Sequence, residues 1–168
     1  MNGKVRIGVS ACLLGFKYRY DGQSDLFQEL IDRLKDVAEF IPVCPEVESG
    51  LPVPRPKMHL RPSNKGTRLI VVETGEDKTD SMNDWAEIKL EQLERRQLDG
   101  FLFHSKSPCC GVASTKLRTP ENKILSTTAT GIFAAAFRRR FPHIPVGDER
   151  DLDGFLQKIK LYVEDDSE

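Results

Sequence analysis

The four cysteines of this sequence contain no Cys-x-x-Cys pair, and this absence argues against a zinc ribbon or zinc finger. The sequence also lacks a Gly-x-Ser-x-Gly elbow, which argues against a serine hydrolase. Neither Gly-x-x-x-x-Gly-Lys nor Gly-x-Gly-x-x-Gly occurs, so no phosphate loop for a nucleotide cofactor is predicted. The cysteines therefore remain the strongest candidates for chemistry.

The net charge and the distribution of apolar residues argue against a membrane-spanning protein and against a nucleic-acid-binding protein. No stretch approaches the ~18 consecutive apolar residues of a membrane helix, and the formal net charge is only −1. There is no global positive field to attract nucleic acid or a membrane surface. The N-terminus has no apolar secretory signal, so a cytoplasmic location is expected. Cysteines there more often bind metal or act in catalysis than form disulfides.

Hydrophobic periodicity predicts an α/β fold, with short apolar runs alternating with amphipathic helices. An open, mostly parallel sheet flanked by helices is expected, in a Rossmann-like arrangement of three layers. The 168 residues fit one domain, predicted at 1–163, with a flexible acidic tail at 164–168. Five strands (5–11, 39–43, 68–73, 100–104, 144–146) and four helices (25–36, 79–99, 129–140, 151–164) are predicted.

Two segments are predicted to be irregular. Residues 45–66 contain five prolines and are expected to form a long loop that acts as a lid or pocket wall. Residues 112–127 are polar and are expected to lack regular structure. A helix starting near Asp25 would use this side chain as its N-cap and Gln28 as the capping-box partner.

Three loops that follow predicted strands each contain cysteine: Cys12, Cys44 and the adjacent Cys109 and Cys110. Because ligand sites form outside the carboxyl ends of parallel strands, the three loops are expected to converge. Three thiolates there suggest a metal centre with one open position. An iron–sulfur cluster, zinc with His59 or His104, and buried thiols without a ligand all remain possible from spacing alone. Spacing also does not choose between Cys109 and Cys110.

Polar side chains near these cysteines are candidates for proton transfer and substrate binding. Glu46, two residues after Cys44, can accept a proton, and Ser107 can donate a hydrogen bond or relay a proton. Tyr20 can stack on a planar ring, and Asp21 can accept from a ring N–H. Alternating basic residues form a possible phosphate-binding face: Arg55, Lys57, His59 and Arg61.

These motifs resemble the bacterial thiouracil desulfidase family, formerly a domain of unknown function. The shared pattern runs in order along nearly the whole chain. It comprises Ser10 to Gly15, Tyr20-Asp21-Gly22, Cys44-Pro45-Glu46 followed by Pro54-Arg55, and Ser107-Pro108-Cys109-Cys110-Gly111. The chain departs from the usual pattern at Tyr18, where many members have cysteine, and at Cys109, where serine is usual.

The resemblance implies a [4Fe-4S] cluster on Cys12, Cys44 and Cys110, with Glu46 and Ser107 as catalytic residues. The substrate-binding residues expected alongside them are Ser10, Tyr20, Asp21, Arg55, Lys57 and His59.

The implied reaction is a non-redox, hydrolase-type desulfuration of 4-thiouracil or a 4-thiouridine nucleotide. The implied partner is thus a small thiolated base or nucleotide; transfer RNA and membranes are not expected. The chain would be a monomer or small homo-oligomer. The rival hypothesis is a non-catalytic iron–sulfur or zinc protein that serves as redox sensor or sulfur carrier.

Overall fold

A parallel sheet forms the centre of the computed structural model, which describes residues 3–167 and the side chains of residues 3–160. The strands are β1 (Val5–Ser10), β2 (Ala38–Val43), β3 (Met58–Arg61), β4 (Arg68–Val71), β5 (Gly100–Phe103), β6 (Thr115–Arg118), β7 (Ile124–Ala129) and β8 (Val146–Asp148). The helices are α1 (Gln28–Leu34), α2 (Pro45–Glu48), α3 (Thr79–Arg96), α4 (Ile132–Arg140) and α5 (Leu152–Ser167). The central sheet has the order β2-β1-β5-β8, and all its pairings are parallel.

Side chains from both faces of this sheet are buried, as expected for a parallel sheet covered by helices. In β5, Phe101 and Phe103 pack with α3 and α4 on one face, whereas Leu102 packs with α1 and α5 on the other. A side chain at Gly8 would collide with the Phe101 ring, so the glycine permits close packing of β1 and β5. The predicted α/β class, with a parallel sheet flanked by helices, is confirmed.

A second sheet was not predicted. It has the order β4-β3-β6-β7 and mixes antiparallel with parallel pairings. The apolar run from Arg68 was expected to join the parallel sheet, but β4 pairs antiparallel with β3 instead. The buried face of the second sheet packs against the core that contains α3 and α4. The protein is therefore built from two sheets.

The prediction that residues 45–66 form only a loop is wrong. Pro45 begins the short helix α2, where proline is tolerated because the first helical N–H has no partner. Between Pro56 and Pro62 the chain has no proline, and this interval forms β3. The prolines thus mark the ends of short elements.

Residues 112–127 were also wrongly predicted to lack regular structure. They contain β6 and the first part of β7, which pair antiparallel at the outer edge of the second sheet. Most side chains of β7 are exposed or half-buried. A polar edge strand of this kind lacks the apolar signal of a buried one.

The bounds of all four predicted helices differ from the predictions by a few residues. α1 begins at Gln28 after Phe27, and Gln28 bonds to Asp32, so the predicted Asp25 cap and its capping box are absent. α4 begins at Ile132 because residues 124–129 belong to β7. α5 continues to Ser167; residue 168 and the side chains from 161 onward lie outside the described residues, so the flexible tail stays a prediction.

None of the helices in residues 3–167 has the length and apolar character needed to cross a membrane.

Candidate active site

A cavity of about 420 Å³ lies where β1, β2 and β5 end. Its wall includes Cys12, Cys44 and Cys110, together with Glu46 and Ser107. The structure therefore brings together five side chains from three separate loops, at the edge of the parallel sheet where ligands commonly bind.

Local structure explains how each cysteine reaches the cavity. Cys12 lies in a tight 3₁₀ turn, Ala11–Leu14, that directly follows β1 and ends at Gly15 with φ of 97°. Cys44 directly follows β2 and precedes α2, and its backbone N–H donates to the Glu48 carboxylate (2.9 Å). Cys110 follows a turn in which the Ser107 hydroxyl accepts from the backbone N–H of residues 109 and 110, at 3.2 and 3.1 Å.

The two adjacent cysteines have different surroundings. Cys110 lines the cavity, whereas Cys109 is fully buried in the apolar core formed with α3 and α4. Both side chains belong to the core cluster, and the Cys109 thiol lies beside the Glu46 carboxylate, but only Cys110 reaches the cavity wall. This arrangement favours Cys110 as the ligand, a choice that spacing alone could not make.

Burial strongly disfavours ionisation of the cysteine thiols. It raises the pKa of Cys12 to about 12 and that of Cys44 to about 11, and the nearby Glu46 carboxylate adds to both increases. Burial also raises the pKa of Cys110 well above its usual value, and a hydrogen bond from Ser10 offsets part of this increase. Without a bound cation the thiols are therefore protonated at neutral pH. Metal binding would release their protons.

The spacing of the three thiols decides which kind of metal group fits the cavity. Among the described residues, no three His, Cys, Asp or Glu side chains form a group that could hold one metal ion. A single zinc ion requires its ligands within about 2.0–2.3 Å of one point. In an iron–sulfur cluster thiolates bind different irons, so more widely spaced sulfurs are acceptable. Three soft thiol donors around one cavity therefore fit a cluster better than zinc.

The histidines that were considered as zinc ligands are engaged elsewhere. His104 lines the cavity, but its Nε2 lies 2.6 Å from the Asp25 carboxylate. His59 lies in β3 and lines a different cavity. Neither of the two predicted histidines is therefore placed as a fourth zinc ligand.

Glu46 is held by a buried ion pair at the start of α2. Its Oε2 lies 3.0 Å from Nη2 of Arg55, and the two side chains are 14% and 4% exposed. Arg55 also donates to the backbone carbonyls of Tyr18 (2.8 Å) and Pro52 (3.2 Å). The carboxylate is thus fixed in the cavity wall by contacts to two loops.

Ser107 is arranged to donate a hydrogen bond into the cavity. A hydroxyl has one donor and two acceptor positions, and the two backbone N–H groups occupy the acceptor positions of Ser107. Its O–H remains to donate. Such a group can stabilise negative charge or a basic nitrogen on a ligand.

The predicted substrate-binding residues divide into two groups. Ser10, Tyr20 and Arg55 line the cavity, whereas Asp21, Lys57 and His59 are outside its wall. Lys57 nevertheless contacts Tyr20, with its Nζ 5.4 Å from the ring centre. Asp21 accepts from the backbone N–H of Gln23 and shapes the turn in which it lies.

Sequence reasoning missed two polar contacts at the cavity. Asp25 and His104 face each other there, although Asp25 was assigned to a helix cap. Glu149 accepts hydrogen bonds from the backbone and hydroxyl of Ser105. Glu149 directly follows β8, so its position just past a parallel strand was the signal that could have identified it.

Comparisons with known proteins agree with this geometry. The family model for 2-thiouracil desulfurase matches residues 7–149. The uncharacterized protein YbbK of Bacillus subtilis (strain 168) is 29% identical over 136 residues, covering 78% of this chain and 88% of the relative. A solved structure of TudS, a [4Fe-4S]-dependent thiouracil desulfidase, superposes with a TM-score of 0.74 at 30% identity and covers 94% of this chain and 99% of its own.

Proposed function

Since the chain belongs to the 2-thiouracil desulfurase family, we propose that it is an iron–sulfur-dependent desulfidase of thiolated pyrimidines. The observation that carries this proposal is the single cavity lined by three cysteine thiols, a fixed carboxylate and a donating hydroxyl. The similarity to the [4Fe-4S]-dependent TudS supports the same cofactor. The reaction converts a thiocarbonyl and water into a carbonyl and hydrogen sulfide, so it needs no external reductant or oxidant.

Cys12, Cys44 and Cys110 would hold the [4Fe-4S] cluster. When bound, the cluster supplies an iron without a protein ligand, which acts as a Lewis acid toward the sulfur of the substrate. Binding of the cluster would require these thiols to lose their protons.

Protein side chains would carry out the proton transfer and hold the substrate in place. Glu46 accepts a proton from the water that attacks the thiocarbonyl carbon, and its ion pair with Arg55 keeps the carboxylate in place. Ser107 donates to a heteroatom of the pyrimidine ring, because its acceptor positions are already occupied. Tyr20 offers an aromatic surface at the cavity wall on which the ring can stack.

The basic surface beside the cavity supports a nucleotide as substrate. A second cavity of about 520 Å³ is lined by His59 and by cationic side chains that include Lys116 and Arg118, and it shares Lys106 and Pro108 with the first cavity. Burial lowers the pKa of His59, and the surrounding positive charges lower it further. A phosphate attached to a base in the first cavity would therefore meet a positive potential.

The preference for a nucleotide can be measured with Lys57 and His59 variants. We expect kcat/KM for 4-thiouridine monophosphate to fall by about tenfold or more in the Lys57→Ala, His59→Ala double variant, since hydrogen bonds to charged groups contribute about 1.5–3 kcal/mol. The value for free 4-thiouracil should be unchanged. Lys35→Ala, an exposed cation beyond α1, is the control. An equal loss for base and nucleotide would exclude these residues as phosphate ligands.

Anaerobic turnover assays test the proposed function directly. Protein reconstituted with iron and sulfide should bleach the long-wavelength absorbance of 4-thiouracil or its nucleotide and release sulfide, whereas zinc-loaded and metal-free protein should not. A reconstituted protein that binds the cluster but turns over none of these compounds would favour a sensor or carrier. The cytoplasmic location stays a prediction.

A further inference from the structure

Arg55 is buried against Glu46, although its sequence position suggested a phosphate ligand. Its side chain is only 4% exposed, and its Nη2 donates both to Glu46 Oε2 and to the Tyr18 carbonyl. Because a terminal guanidinium nitrogen has two protons, this nitrogen has no donor left for a phosphate. Nη1 donates to the Pro52 carbonyl. Most of the charged group is thus directed into the protein.

The contacts of Arg55 join three segments that form the cavity. The guanidinium connects Glu46 at the start of α2 to the backbone at Tyr18 and Pro52. The backbone N–H of Arg55 donates to the Tyr20 carbonyl (2.8 Å), so the main chain is fixed to the same loop. A displacement of the loop that presents Tyr20 would therefore displace the carboxylate as well.

We propose that Arg55 is a positioning residue that orients the Glu46 carboxylate and couples it to the substrate-facing loop at Tyr18 and Tyr20. This inference depends on the proposed desulfidase function. Arg55 donates to Oε2 and leaves the other carboxylate oxygen without a contact to the guanidinium. The role requires the planar fork of arginine, because a lysine ammonium cannot make the same set of divergent hydrogen bonds.

Arg55→Lys tests this role while it preserves the charge. We expect kcat to fall by about 100-fold, the loss typical of a catalytic group displaced by about 1 Å. KM should stay nearly constant for both 4-thiouracil and its nucleotide, and the cluster absorbance should match that of the wild type. Arg68→Lys, which alters an ion pair with Asp77 and Asp80 outside the cavity, is the matched control and should keep its kcat.

Chemical rescue provides a second readout that a purely structural role would not change. Guanidinium at millimolar concentration should raise kcat of Arg55→Ala several-fold and leave Arg68→Ala unaffected. A raised KM for the nucleotide alone would instead identify Arg55 as a phosphate ligand and overturn the proposal. Unchanged kcat in Arg55→Lys, or loss of its cluster, would also overturn it. Inactive wild-type protein would contradict the proposed function itself, since these comparisons are made relative to wild-type turnover.

Discussion

Glu46→Gln should lower kcat by about 10²–10⁴-fold, the usual range for loss of a general base. Glutamine has the same shape and can still accept from Arg55, so the cavity wall should keep its structure. The amide cannot take a proton from water at neutral pH. The cluster absorbance and iron content should therefore equal those of the wild type, whereas the melting temperature should fall because the buried Arg55 loses its counter-charge.

Glu48→Gln is the matched control for this variant. Glu48 lies on the same short helix, but its carboxylate accepts from the backbone of Cys44 and pairs with Lys89 instead of lining the cavity. We expect this variant to keep most of the wild-type activity. Full activity in Glu46→Gln, or an equal loss in both variants, would contradict the assignment of Glu46 as the proton acceptor.

Cys110→Ala should abolish both cluster binding and turnover, whereas Cys109→Ala should retain both. Cys110 faces the cavity with Cys12 and Cys44, so its removal leaves only two thiol ligands. Cys109 is fully buried in the core and outside the cavity wall, so its loss should lower the melting temperature without releasing iron.

Iron and sulfide analysis of anaerobically reconstituted variants provides the measurement. The comparison is well matched because the two cysteines are adjacent and the substitutions remove the same atoms. Loss of the cluster in Cys109→Ala, with retention in Cys110→Ala, would reverse the ligand assignment and require a different conformation of the 107–110 turn.

The cysteine loops could be located from sequence because they follow apolar strands. The strongly apolar runs that end near Ser10, Val43 and Phe103 indicated buried strands, and parallel strands end at one edge. Residues just after them were therefore predictable neighbours. The same argument predicts that Glu46 lies at this edge, because it is within one helical turn of Cys44.

Other parts of the site depend on contacts between segments distant in sequence. The Arg55–Glu46 pair forms because the chain after α2 folds back beside Tyr18 and Tyr20, and no local pattern encodes this path. The contact of Asp25 with His104 spans 79 residues, and an Asp before an amphipathic segment resembles a helix cap. The second sheet was missed because its strands are short and its outer strand β7 is polar.

The source of the product oxygen tests the central claim most directly. Anaerobic single turnover of 4-thiouridine monophosphate in H₂¹⁸O, without added reductant or oxidant, should give product with one ¹⁸O at C4. One sulfide should be released for each product molecule. Hydrolytic desulfuration requires both results. Product without the label, or turnover only when an electron donor is added, would contradict the account.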